Sequence, residues 1–139
     1  MILLMFSSEE LLKLKRGVKL FNSGHYWECH EEIEDLWIEE LGPVRYVYWA
    51  IIQLATALYH FEDENFAGAR GMLHKTHEKV LKAQKGGAES DLLFRFLKWK
   101  IIKDRVLSLD RNKGNELEIL KSLEGFKFSN PDKWEQHFE

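Results

Sequence analysis

The apolar residues of this chain recur at intervals of three and four positions, the spacing that predicts amphipathic helices. The first apolar stripe consists of Leu11, Leu14, Val18 and Phe21. Ser7 and Glu10 precede this stripe at the spacing of a capping box, which predicts that Ser7 caps the start of a helix. The helix should end near Phe21, because Gly24 follows and glycine readily adopts the left-handed conformation that closes many helices.

The same spacing predicts three further helices in the first two thirds of the chain. The second helix extends from about His25 to Leu41 and stops at Gly42-Pro43. The third, from Val44 to Phe61, is apolar on nearly every side, so we expect it at the centre of a bundle. The fourth follows the polar turn 62–65 and reaches about Gln84.

The last third of the chain predicts two shorter helices and an aromatic tail. A fifth helix is expected from Asp91 to about Leu109, and a sixth from Glu116 to Leu123. The tail should be irregular, because Asn130-Pro131 interrupts it. Its aromatic residues should tie it either to the body of the protein or to a second subunit, so a homodimer is one prediction. These residues are Phe126, Phe128, Trp134 and Phe138.

The chain also contains an internal repeat with an offset of forty residues. The first copy has Phe21, Tyr26, Cys29 and Ile33, and the second has Phe61, Phe66, Ala69 and Leu73. Each copy is a helix end, a tight turn and a new helix, so the repeat predicts two stacked helical hairpins. We therefore predict one all-α domain over residues 1–139, a compact bundle of five or six helices. Its core spans about residues 20–81, and the C-terminal helices and tail span 90–139.

Composition and charge limit the partners and the location that we expect for this protein. The net charge is −3, with 20 basic and 23 acidic residues, so no global field attracts nucleic acid. The single Cys29 excludes an internal disulfide and favours a cytoplasmic location. The apolar third helix carries Arg45, Gln53 and His60, which favours a buried helix over a membrane span.

Four ionisable residues could form a metal site. His30 and Glu34 are neighbours on one face of the second helix, and Glu31 lies one position round from His30. His60 is the natural further ligand from the third helix, and Gln53 shares its stripe. An imidazole–carboxylate site with open positions favours a divalent transition metal and an activated water.

Two hypotheses about function follow from this cluster. In the first, His30, Glu34 and His60 bind the metal, Glu31 acts as catalytic base, and Arg70 and Gln53 contact the substrate. Arg70 would orient an anionic group, and the reaction would be a hydrolysis. In the second, the protein is a non-enzymatic helical scaffold or interaction module. The cluster is then a buried hydrogen-bond network that fixes how the second, third and fourth helices pack.

The chain resembles the domain of unknown function 309 family over about Leu20 to Leu81. The family pattern Phe-Asn-x-Gly-x-Tyr-x-Glu-x-His-Glu-x-x-Glu-x-x-Trp is matched by FNSGHYWECHEEIEDLW, from Phe21 to Trp37. Later matches fall in IIQLATALYH and ENFAGARGML, on Gln53, His60, Asn65, Gly68, Ala69 and Arg70. The chain departs from the pattern at Glu64, where the family commonly has Gly, and at Cys29, where it commonly has Ala.

The resemblance implies an all-α bundle with a cluster of polar residues at the matching positions. Some members of the family are described as metal-dependent hydrolases. The resemblance thus points to His30, Glu34 and His60, the same residues that helical spacing brings together.

Overall fold

The computed structural model of the chain describes residues 7–89 and 91–137. Seven α-helices and no strand occur in these ranges, which confirms the predicted all-α fold. The helices are α1 (Ser8–Asn22), α2 (Tyr26–Glu39), α3 (Arg45–Glu62), α4 (Phe66–Lys85), α5 (Asp91–Phe96), α6 (Trp99–Leu107) and α7 (Glu116–Leu123). A 3₁₀ helix, Pro131–His137, follows α7 in the tail that was expected to be irregular.

Helix α3 is the centre of the bundle, as its apolar sequence predicts. It lies between α2 and α4 and also contacts α7, and side chains such as Leu54, Ala55 and Leu58 are fully buried. Helix α1 packs on α2. Within the described ranges, no helix has both the length and the hydrophobicity that crossing a bilayer requires.

The predicted fifth helix is wrong as one continuous element, because it breaks at Lys98. Lys98 has φ 48°, a left-handed conformation that an L residue adopts only at a cost and that cannot continue a helix. Three residues around the break, Phe96, Leu97 and Trp99, are all buried. After the break, the Trp99 indole donates a hydrogen bond to Glu89 (3.0 Å).

The aromatic tail is tied to the body of its own chain. Phe126 and Phe128 are buried, with ring centroids 6.2 and 4.8 Å from that of Phe21. The Asn22 amide holds the Phe128 backbone from both sides, because its nitrogen donates to the carbonyl (3.0 Å) and its oxygen accepts from the N–H (2.8 Å). Trp134 is buried against Phe96. Phe138 lies outside the described residues, and the homodimer stays a prediction.

The two copies of the internal repeat have the same turn. In the first, the His25 N–H donates to the Leu20 carbonyl at 2.8 Å. In the second, the Asn65 N–H donates to the His60 carbonyl at the same distance. The residue ahead of each donor is left-handed: Gly24 has φ 79° and Glu64 has φ 60°. Each turn therefore leads one helix of a hairpin into the next along the same backbone path.

Candidate functional site

A pocket of about 440 Å³ lies between α2 and α3, and we call it the α2–α3 pocket. Its α2 wall presents one helical stripe, Trp27, His30, Glu34 and Trp37. Its α3 wall presents another, Trp49, Ile52, Gln53, Thr56 and His60. Met72 of α4 completes the lining. The lining is mainly aromatic and aliphatic, with a few polar groups among the rings.

The pocket brings together four of the six residues singled out in the sequence. His30, Glu34, Gln53 and His60 all line it. Glu31 and Arg70 do not, and both side chains are exposed. Glu31 is turned away because one step along a helix rotates a side chain by about 100°. The expected base and the expected anion-binding residue thus lie outside the space that the other four share.

His30 is engaged with Glu34 one helical turn later. The distance from His30 Nε2 to Glu34 Oε2 is 3.2 Å, and the side chains are 20% and 41% exposed. The other ring nitrogen, Nδ1, is buried and has no hydrogen-bond partner among the described residues. The imidazole also lies against Trp27, with ring centroids 4.9 Å apart.

His60 is held by the residue that caps the next helix. The Asn65 side-chain oxygen accepts from the Gly68 N–H (3.1 Å), which fixes the orientation of the amide. The amide nitrogen of Asn65 therefore faces His60 Nδ1 at 3.3 Å. Because an amide nitrogen donates, Nδ1 must accept, and the neutral imidazole carries its proton on Nε2. His60 therefore has a hydrogen-bond donor at Nε2.

Gln53 joins α3 to α4. Its partners assign the orientation of the amide: the oxygen accepts from the Trp49 indole N–H (3.1 Å), and the nitrogen donates to the Lys75 carbonyl (2.9 Å). Only 6% of Gln53 is exposed. Both ends of a buried amide are thus satisfied within the protein, as a structural role requires.

Residues 14–72 match the family described as Domain of unknown function (DUF309). The match runs from α1 into α4 and contains both walls of the pocket, and it confirms the resemblance over this segment. The uncharacterized protein YpuF of Bacillus subtilis (strain 168) is 40% identical over 65 residues. These residues are 46% of this chain but 37% of that protein. No solved structure matches the chain at a significant level.

The donor set of the α2–α3 pocket does not fit a metal ion in this arrangement. Among the described residues, no group of three or more His, Cys, Asp or Glu side chains is placed to hold one. The nitrogen of His30 nearest to a carboxylate is engaged with Glu34, and its other nitrogen is buried. His60 accepts at Nδ1, so a proton occupies the nitrogen that a metal would need.

The tryptophans are the part of the site that the sequence analysis missed. Trp27 and Trp37 stand at the same helical spacing as His30 and Glu34, and that stripe was the available signal. Two cations lie over the inner rings: the Arg45 guanidinium is 4.8 Å from the centroid of Trp37, and the Lys79 amine is 4.2 Å from that of Trp49. These contacts hold the aromatic walls in place.

Cys29 takes no part in the site. The side chain is fully buried on the core face of α2. Burial raises the pKa of its thiol to about 12, so the thiol stays protonated near neutral pH. Its role is packing.

Proposed function

We propose that the α2–α3 pocket binds a small, largely apolar organic molecule. The observation that carries the proposal is the pocket itself. Its volume of about 440 Å³ falls within the range of roughly 300–1,000 Å³ that is usual for small-molecule sites. Its lining of aromatic rings with a few polar groups has the composition of such sites, in which apolar contact gives affinity and polar groups fix orientation.

Two buried polar atoms of the walls support a binding role. His30 Nδ1 and Trp37 Nε1 have no hydrogen-bond partner in the part of the chain that the structure describes. Leaving a buried polar group unpaired costs about 1–3 kcal/mol. Unpaired buried polar groups are expected where a surface serves function rather than stability. A ligand that shifts either ring slightly could supply the missing bond.

The end of the pocket near the two histidines has an aromatic rim. Trp27 is 44% exposed and Tyr59 is 40% exposed, with ring centroids 5.3 Å apart. Trp27 contacts His30, and Tyr59 contacts His60. A ligand entering at this end would cover apolar ring surface that now faces water, which favours binding.

Thermal unfolding in the presence of aromatic fragments tests the proposal. A fragment at about ten times its dissociation constant should add roughly 1.4 kcal/mol and raise Tm by a few degrees. Thr56→Phe fills the pocket and should abolish the rise. Leu12→Phe adds the same ring on exposed α1 and should preserve it. If no fragment raises Tm, or if both variants respond alike, the proposal is wrong.

A divalent-metal centre with hydrolase activity is the second candidate, because His30, Glu34 and His60 line one pocket. It requires His60 to release Asn65 and His30 to release Glu34. The test is the metal content of untagged protein, compared with His30→Ala and Glu34→Ala. Metal bound by the parent and lost from both variants would favour this candidate over an organic ligand.

The non-enzymatic scaffold is supported by the bonds of Gln53 and His60, which join α3 to α4 and to its cap. If the cluster serves packing alone, Gln53→Leu and His60→Phe should lower the free energy of unfolding. In that case no fragment should bind the parent.

A further inference from the structure

Glu34 and His60, on opposite walls of the α2–α3 pocket, differ in hydrogen-bond chemistry. The inference drawn from them rests on the binding role proposed above. On the α2 wall, Glu34 has a carboxylate, which only accepts when ionised. One oxygen pairs with His30, and the side chain is 41% exposed, so acceptor capacity remains. On the α3 wall, His60 has a donor at Nε2, because Asn65 occupies Nδ1.

We infer that the ligand is an uncharged, planar heterocycle that carries both an N–H group and a C=O group. The N–H would donate to Glu34, and the C=O would accept from His60 Nε2. The rings of Trp27, Trp37 and Trp49 line the same space, and aromatic walls favour a flat aromatic partner through stacked or edge-to-face contact.

Charged ligands complement the polar groups of the pocket less well than a neutral ligand does. An anion would be repelled by the carboxylate of Glu34, the one acidic residue in the lining of this pocket. A cation would be attracted to Glu34, but it would meet the N–H of His60. It would also approach Arg45 and Lys79, which lie over Trp37 and Trp49. A neutral donor–acceptor edge complements both walls without these penalties.

Asn65 is the positioning residue in this arrangement, because it determines which nitrogen of His60 carries the proton. Asn65→Asp keeps an oxygen to cap α4 but replaces the N–H that faces His60 with a second acceptor. The neutral imidazole should then carry its proton on Nδ1, leaving a lone pair at Nε2. The ¹⁵N shifts of the His60 ring report this change directly, and a purely structural cap would not produce it.

Five tryptophans make the binding measurement specific to the site. The indole N–H signals of Trp27, Trp37 and Trp49 report on the pocket. Those of Trp99 and Trp134 are internal controls, since these indoles are bonded to Glu89 and Ser129 in other parts of the protein. The probes are 2-pyridone, 1-methyl-2-pyridone, toluene and benzylammonium, which have one ring of similar size and differ in hydrogen bonding and charge.

We expect 2-pyridone to bind about tenfold more tightly than its N-methyl form, and to shift only the three pocket indoles. Asn65→Asp, at a pH where the ¹⁵N shifts show a neutral ring, should weaken 2-pyridone several-fold and leave toluene unchanged. Toluene or benzylammonium binding as tightly as 2-pyridone would overturn the inference and keep the proposed pocket. An unchanged preference in Asn65→Asp would also overturn it. Absence of shifts with all four probes would remove both the inference and the proposed function.

Discussion

The two turns of the internal repeat share a backbone path and differ in what covers them. In the first turn, Phe21 and Tyr26 are 1% and 4% exposed. In the second, the equivalent of Tyr26 is Phe66, which is 39% exposed. The aromatic pair is edge-to-face in both copies, with centroids 5.1 Å apart in the first and 5.9 Å in the second. The local sequence thus sets the turn, and the rest of the chain decides its burial.

The cover on the first turn is the C-terminal tail. Phe126 and Phe128 pack on Phe21, and the Tyr26 hydroxyl donates to the Glu124 carbonyl (3.1 Å). The positions that correspond to His60 and Asn65 are Leu20 and His25 in this copy. Leu20 packs against the core, and His25 makes no side-chain cap.

No tail covers the second turn among the residues that the structure describes, and this turn carries polar side chains instead. His60 and Asn65 bond to each other, and His60 lines the pocket. The comparison teaches that one supersecondary unit can serve two purposes. The first copy anchors the tail, and the second copy positions polar groups at a candidate site.

Truncating the aromatic residue of each turn should give the largest difference. Phe21→Ala should lower the free energy of unfolding by about 3–5 kcal/mol, because it opens a cavity under the tail. Phe61→Ala, at the equivalent position, should cost less, about 1–3 kcal/mol, since that ring is only partly buried. Denaturant unfolding measures both. If Phe21→Ala does not fold, Phe21→Leu supplies an intermediate value. Equal losses for the two Ala variants would contradict the comparison.

The second largest difference should come from the polar residues that directly follow Phe21 and Phe61. Asn22→Ala removes both hydrogen bonds to Phe128 and leaves its backbone groups unpaired, so we expect a loss of about 2 kcal/mol. Glu62→Ala changes the equivalent exposed position and should cost little. Asn22→Ala should also expose the tail to proteolysis, which limited digestion would detect. A tail that stays protected would show that the aromatic contacts alone hold it.

The left-handed residues of the turns should give opposite effects of about 1 kcal/mol. Glu64→Gly relieves a side chain at φ 60° and should stabilise the protein, because glycine carries no penalty there. Gly24→Ala places a side chain at φ 79° and should destabilise it. Unfolding of both variants in denaturant gives the two signs. A loss of stability in Glu64→Gly would mean that flexibility of the unfolded chain outweighs the strain.

The sequence predicts the fold well because burial follows helical spacing in the first four helices. It does not predict the break at Lys98. Lys98 adopts the left-handed conformation there, and Phe96, Leu97 and Trp99 around it all pack in the core. This packing depends on segments that are distant in the sequence, so the local spacing of apolar residues does not predict the break.

The candidate site is partly predictable for the same reason. Spacing brings His30 and Glu34 to one face and Gln53 and His60 to another, and these faces meet in the pocket. The spacing does not predict how α4 is rotated about its own axis, and this rotation leaves Arg70 outside the pocket. Nor does the spacing show that the capping residue Asn65 also contacts His60. The sequence therefore does not predict which nitrogen of the His60 ring carries the proton. The functional roles of these residues stay predictions.

The smallest expected effect is the pH dependence of stability that Glu62, in the second turn, contributes. Partial desolvation, and then the charge of Glu124, raise the pKa of the Glu62 carboxyl above its ordinary value of 4.5. The folded state therefore holds this proton more tightly than the unfolded state. The resulting stabilisation is complete below the unfolded pKa and is lost as the pH rises through the folded pKa. Glu62→Gln removes this dependence.

We therefore expect the stability of Glu62→Gln relative to the parent to increase as the pH rises from about 4 to 7. Unfolding in denaturant at several pH values gives the difference curve, in which the other carboxylates cancel. Adding Glu124→Gln to both proteins should reduce the increase, because the charge of Glu124 is the second cause. A flat difference curve would show that the second turn is electrostatically independent of the segment that covers the first.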